Sequence, residues 1–189
     1  MPFKTVPEFI AYARANPGKI NFASAGSGSP MHMAGELFKM MAGVNLVPVT
    51  YRGAGPALID LLGGQVQVVF GGVAESIGYI RARKLIPLAV TSTTRLDALE
   101  DVPTVADFVP SFEMSDWYGI GAPKNTPAEI INMLNKEINA GLADPKLQTR
   151  LAELGGVPFG GSPADFGKLI ADETEKWGKV IRAANIKAE

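Results

Sequence analysis

Two serines five residues apart, Ser24 and Ser29, enclose the run Ala25-Gly26-Ser27-Gly28, and Pro30-Met31-His32 follows at once. Hydroxyls beside uncommitted backbone amides are anion-binding chemistry. Ser29 is placed to cap a helix that begins at Pro30, where the missing N–H costs nothing. Gly26 and Gly28 let bare backbone approach a ligand closely. The remaining N–H groups and the positive end of the helix dipole then face whatever occupies the loop. A second glycine turn, Tyr51 to Gly55, runs into another helix start at Gly55-Pro56-Ala57-Leu58; Arg52 within it either lies in solvent or adds charge to an anion contact. His32, one turn into the first helix, is a capping or packing residue or a ligand contact. As the only histidine it cannot build a multi-histidine metal site.

Holding such loops takes a strand before each and a helix after it. Thr5-Val6-Pro7-Glu8 reads as a capping box opening a helix that ends before Pro17-Gly18. A strand at Ile20 to Ser24 then leads into the Ser29 helix, which runs to about Gly43. The pattern predicts further strands at Leu46–Val49, Val66–Phe70 and Pro87–Ser92, with helices at Pro56–Leu62 and Val73–Arg83. Three successive units of strand, glycine turn and helix predict an α/β fold with a mainly parallel sheet flanked by helices and right-handed crossovers. In such sheets ligands sit beyond the carboxyl ends of the strands. The turns at Ser24–Ser29, Tyr51–Gly55 and Gly71-Gly72 all fall at that end, so they share one rim.

The helix starts divide by charge. Glu8, Glu129 and Asp165 each place an acid in a first turn, which complements the dipole and marks a structural cap. The starts at Ser29-Pro30 and Gly55-Pro56 have none, and Glu36 and Asp60 come at least a turn later. Their positive ends stay open to an external anion, an effect of about 0.3–1 kcal/mol per charge at an exposed site.

After Ser92 the character changes. Thr93 to Glu113 is loop-rich, Trp117 to Ala122 reads as a strand, and from Thr126 onward the chain is nearly all helix, interrupted by a possible strand at Val157–Phe159. The apolar faces Ile130/Ile131/Leu134/Ile138/Leu142, Leu147/Leu151/Leu154 and Phe166/Leu169/Ile170/Trp177/Val180/Ile181 need cover. Either they pack as an appendage on the first unit, or they belong to a sheet whose other strands lie upstream of Met1; self-association through uncovered faces is the expected alternative.

Composition excludes several classes. Eighteen basic and nineteen acidic residues give a net charge of -1 with no block of like charge, which argues against nucleic acid and anionic membrane as partners. No apolar run approaches the roughly 20 residues of a membrane span, and the N-terminus lacks the regions of a signal peptide. The absence of cysteine excludes disulfides and thiolate chemistry. No serine sits in a Gly-x-Ser-x-Gly elbow, the loop lacks the third glycine of a dinucleotide fingerprint, and no Lys-Ser/Thr makes a phosphate loop. Met31, Met33, Met40 and Met41 fit helix packing and need no cofactor. No cofactor and no metal are expected.

The ordered combination of Asn16-Pro17-Gly18-Lys19-Ile20-Asn21-Phe22-Ala23-Ser24-Ala25-Gly26, Gly28-Ser29, His32, Gly35-Glu36, Tyr51-Arg52-Gly53, Pro56-Ala57-Leu58, Asp60-Leu61-Leu62-Gly63-Gly64-Gln65-Val66, Leu88-Ala89-Val90-Thr91-Ser92 and Asp101-Val102-Pro103-Thr104-Val105 resembles the receptors of tripartite tricarboxylate transporters, also called Bug proteins. The resemblance spans essentially the whole chain. It implies a type II periplasmic-binding-protein fold, two α/β lobes closing over a small organic carboxylate and delivering it to membrane permease subunits. Residues 1–112 would form the second lobe, nearly complete; 113–123 would cross back; 124–189 would be the helical part of an incomplete first lobe. The resemblance further implies that Ser24 and Ser29 hydroxyls, with the Ala25, Gly26 and Gly28 amides, take one carboxylate. His32, Tyr51, Arg52 and Gly53 would line the site. Many relatives carry Asp just after the third strand where this chain has Gly71, which tilts the expectation toward a non-amino carboxylate. A periplasmic location goes with the family. The alternatives are a ligand-sensing module, a truncated remnant of a receptor and, least, a serine hydrolase.

Overall fold

A computed structural model describes residues 1–187. Its elements run α1 (Val6–Ala15), β1 (Asn21–Ser24), α2 (Pro30–Ala42), β2 (Val47–Thr50), α3 (Ala54–Leu62), β3 (Val68–Val69), α4 (Val73–Arg81), two short 3-10 turns at Asp97–Leu99 and Val105–Asp107, then α5 (Ala128–Leu142), α6 (Pro145–Glu153) and α7 (Pro163–Ala183). The sheet order is β2-β1-β3, and both pairings are parallel, with Asn21 opposite Val47, Phe22 opposite Val68 and Ser24 opposite Thr50. The expected parallel α/β core is therefore present, and the turns after all three strands leave from one edge.

The central strand carries the core on both sides. Alternation along β1 sends Phe22 to one face and Ala23 to the other; both are fully buried. Phe22 joins Phe9, Ile20, Phe38, Leu46 and Phe112 beneath α1 and α2, while Ala23 packs with Met31, Ala57 and Val66 beneath α3. Phe38 is the hub of the aromatic cluster, stacked 5.4 Å from Phe9 and edge-on 6.1 Å from Phe112. Against β1, α2 fits without clearance: a Cβ on Gly35 would overlap the Phe22 ring. A glycine is what lets this helix lie on the strand.

Caps set the starts of α1, α2 and α7 as the residues required, whereas α5 begins after Pro127 with no side-chain cap, the Thr126 hydroxyl donating to Pro123 O. Thr5 accepts the Glu8 N–H while Glu8 reaches back, and Ser162 and Asp165 do the same at α7. Ser29 caps α2 with Pro30 at its first position and no acid in the first turn. At α3 the helix begins two residues before the expected Pro56, from Gly53, and α4 stops at Arg81, ahead of Arg83 with its left-handed φ of 55°.

Several expected strands are absent among the described residues. Trp117–Ala122 has no regular structure, with Tyr118 94% and Ile120 72% exposed. Val157–Phe159 is also irregular and open to solvent. A strand is completed by a neighbour that takes up its N–H and C=O groups, and neither segment meets one. The expected fourth strand at Pro87–Ser92 is reduced to one parallel bridge between Val90 and Thr104, in which the Val90 N–H donates to Pro103 O and the Val90 carbonyl accepts the Val105 N–H. Of the C-terminal helices, α7 packs against α2 and brings Trp177 to the aromatic core. By contrast α5 and α6 bury no residue, and Ile130, Met133, Leu134 and Leu147 lie exposed.

Candidate functional site

Parallel pairing puts three turns side by side, and a backbone bond from Tyr51 N–H to Ser24 O at 2.8 Å ties the second to the first. In the first turn Gly26 (φ 138°) and Gly28 (φ 71°) hold backbone conformations that L side chains rarely adopt, with open space where a Cβ would stand. The requirement for glycine is conformational.

The loop spends some of its expected donors on itself. Ser24 is fully buried; its hydroxyl donates to Gly26 O at 2.8 Å and accepts Gly26 N–H at 3.3 Å. In this arrangement the hydroxyl shapes the loop, its proton turned to Gly26 O. Gly28 N–H is likewise committed, donating to His32 Nδ1 at 3.0 Å. Ser29 Oγ accepts His32 N–H at 3.3 Å; with the Ser24 proton on Gly26 O, its own proton makes the long 3.5 Å contact to Ser24 Oγ and is the one that can turn toward a ligand. Among the described residues the amides of Ala25, Ser27 and Met31 have no hydrogen-bond partner. These amides and the Ser29 hydroxyl are the donors that an anion would meet.

The second turn is equally bare. Gly53 (φ 106°) starts α3 with no side-chain cap and no acid in the first turn, and the Ala54 and Gly55 amides lack partners among the described residues. Arg52 is exposed beside them. Tyr51 points elsewhere: its hydroxyl donates to Asp60 Oδ2 at 2.8 Å. Burial, and then this bond to a carboxylate, push the phenol above its ordinary range.

The third turn is different in sign. The Glu75 carboxylate folds back over Gly72, occupying the place of a Cβ there. Asp116 stands close enough that burial first, and the Glu75 charge second, hold its carboxyl above the usual carboxylate range. Asp116 also lines a cavity of about 330 Å³ with Gly28, Pro30, Met33, Trp117 and Trp177. Gly71 therefore does not leave this turn neutral, and the expected preference for a non-amino carboxylate loses its basis. Trp117 packs edge-on to Phe166 at 5.5 Å, while Tyr118 packs on nothing. Neither acid was among the expected site residues. Glu75 carried the signal that marks other caps, an acid in a helix's first turn; Asp116 has no local signal, since only the fold brings it beside Glu75.

A proton on Asp116 is bound more tightly in the folded chain than in the unfolded one, so its contribution to stability falls as pH rises through the window above the ordinary aspartate value. Asp116→Asn is accordingly expected to raise the melting temperature modestly at pH 7 and to change it less near pH 4. Equal or opposite shifts in thermal denaturation at the two pH values would contradict the raised Asp116 carboxyl.

Among the described residues no cluster of His, Cys, Asp or Glu could hold a metal ion, and no helix is long and apolar enough to cross a membrane.

Comparison with known proteins matches residues 1–186 to the family model described as "Tripartite tricarboxylate transporter family receptor". A curated relative, the UPF0065 protein in the tcbD-tcbE intergenic region of Pseudomonas sp. (strain P51), is 40% identical over 181 residues, covering 95% of this chain and 54% of its own. Among solved structures, R. palustris Rpa4515 with adipate has a TM-score of 0.93 at 36% identity over 98% of this chain and 62% of that one. The periplasmic binding protein BugD has a TM-score of 0.86 at 32% identity, covering 100% and 64%. MatC from Rhodopseudomonas palustris with bound malate gives 0.83 at 28%, covering 95% and 63%. The chain thus spans about half the length of the curated relatives it matches. The family is one of periplasmic solute-binding receptors for transport and not a class of enzyme. On this match the chain belongs to the tripartite tricarboxylate transporter receptor family.

Proposed function

We propose that the chain supplies one jaw of a receptor's ligand cleft, gripping a carboxylate between the Ser24–Ser29 loop and the Tyr51–Gly55 turn for delivery to membrane permease subunits. The observation that carries this reading is the pair of neighbouring helix starts, α2 and α3, whose first turns hold no acid and whose amides at Ala25, Ser27, Met31, Ala54 and Gly55 lack partners among the described residues. Several such bonds to one anion reinforce the dipole. Arg52 adds charge from the rim, Ser24, Gly26, Gly28 and Gly53 shape the backbone, and Tyr51 braces the second turn through Asp60. A solved neighbour carrying adipate and another carrying malate support a small organic acid as the ligand.

In this reading residues 1–112 form one lobe, 113–123 return toward the other, and the helices from 124 onward belong to that other lobe. The exposed apolar faces of α5 and α6 pack against the remainder of that lobe, and a chain without it self-associates through them. A second reading, an acidic amino acid, is favoured by the Glu75 and Asp116 carboxylates, which would meet its ammonium group beside the carboxylate grip.

Calorimetry against C4 to C6 di- and tricarboxylates, aromatic acids and acidic amino acids tests both. The 189-residue chain is expected to bind its ligand weakly, because the facing jaw lies in the part of the neighbours it does not span; sub-micromolar affinity would overturn the one-jaw reading. Preference for an amino acid over the matching dicarboxylate would select the second reading.

A further inference from the structure

We propose that His32 is a proton-dependent positioning residue for the loop. As a neutral imidazole it accepts the Gly28 N–H and fixes the backbone between Gly26 and Ser29; protonated, it releases that backbone.

The two α-helices that open with a capping box show what is unusual here. At α1, Glu8 Oε2 accepts the Lys4 and Thr5 amides, and at α7 Asp165 Oδ2 accepts the Ser162 amide. Each is the third residue of its helix reaching back with a carboxylate. The third residue of α2 is His32, and its Nδ1 reaches back past the Ser29 cap to accept the Gly28 N–H at 3.0 Å, while the Ser29 N–H goes to Gly26 O. Histidine ties the loop to the helix start without placing a negative charge on the helix's positive end, where it would oppose an incoming anion.

An imidazole nitrogen accepts only while it is unprotonated. The geometry thus fixes the tautomer: the proton sits on Nε2, 3.8 Å from Glu36 Oε1, and turning the ring over would set a carbon against the Gly28 amide. The groups around the ring are few. From α2 come Glu36 and Lys39, already paired with each other at 2.7 Å. A second cavity, of about 410 Å³, is lined by His32 together with Ser27, Pro48 of β2 and Lys187 beyond α7. Phe22 of β1 stacks on the ring at 6.3 Å. The loop itself presents no titratable side chain. When Nδ1 gains a proton, two N–H donors face each other at hydrogen-bond distance and the bond is lost. Through the carboxylate reading above, on which this one consequence rests, acid weakens the grip by loosening the loop. The bond itself does not depend on that reading.

The chain has a single histidine, so nitrogen-15 NMR of the ligand-free protein reads the switch directly. In the alkaline part of the imidazole range, about pH 5 to 8, the ring is expected as the Nε2–H tautomer, and the Gly28 amide resonance should move with the midpoint of the ring's titration. His32→Gln, a neutral acceptor of the capping-box type, should hold the Gly28 amide unchanged across that range. His32→Ala should speed its hydrogen exchange roughly tenfold. An Nδ1–H tautomer, or a Gly28 amide that ignores the ring's titration, would overturn the proposal. Should His32→Ala fail to fold, the wild-type titration and His32→Gln still decide it. Since no ligand is present, failure here is distinct from failure of the carboxylate reading.

Discussion

A Gly35→Val variant is expected to lose on the order of 3 kcal/mol of stability, the upper range for overpacking a filled core. Gly35 is buried on the face of α2 that lies on β1, and any Cβ there overlaps the ring of Phe22, itself wholly inaccessible. Phe22 has little room to yield, because Phe70 meets it edge-on at 6.1 Å and the His32 ring stacks on it at 6.3 Å. The helix must lift instead. Gly35→Ala should cost less, since alanine recovers about 1 kcal/mol of helix propensity while introducing the same first carbon. Lifting α2 also carries Ser29 and His32 away from the loop, so loss of ligand response should accompany loss of stability. Chemical denaturation reads the first effect, and an unchanged midpoint for Gly35→Val would show that α2 does not sit on β1 as described.

Ser29→Asp should separate folding from binding. Aspartate is as good a helix cap as serine, and a negative charge at the start of α2 complements the dipole, so stability should hold or rise slightly. The same charge would sit among the Ala25, Ser27 and Met31 amides where the ligand carboxylate is proposed to bind. Two like charges 4 Å apart repel by about 4 kcal/mol at an effective dielectric of about 20; discounted for solvent in an open turn, this predicts an affinity loss on the order of a hundredfold. Ser29→Asn, a cap of similar size without charge, should retain most of the binding. Equal affinity in Ser29→Asp and the wild type would place the anion elsewhere.

How much of this was legible from residues alone differs between the halves of the chain. Where a strand, a glycine turn and a helix start follow one another, local chemistry decides the structure, and Ser29, Pro30, Gly26 and Gly28 took the positions their side chains dictate. The parallel order followed from the repetition of that unit. Trp117–Ala122 misled because its residues favour a strand, yet a strand exists only with a neighbour, and its partners are not local in sequence. The direction of side chains within the loop was also hidden. That Ser24 bonds to Gly26 O, and that Gly28 N–H is held by His32, depends on contacts of a few tenths of an ångström that residue types leave open. Capping by His32 was one of the roles its position allowed. Glu75 was within reach of the rule that separated acid-bearing helix starts from bare ones; applied to the third turn, it marks the rim as two donor turns and one acidic turn.

The central claim is that the bare starts of α2 and α3 hold a carboxylate, and amide NMR of the nitrogen-15-labelled chain titrated with adipate tests it most directly. Saturable shifts are predicted at the Ala25, Ser27, Ala54 and Gly55 amides, at concentrations befitting a single jaw, and these should vanish in Ser29→Asp. Shifts that saturate elsewhere, that persist in Ser29→Asp, or that never saturate at these amides would contradict the account.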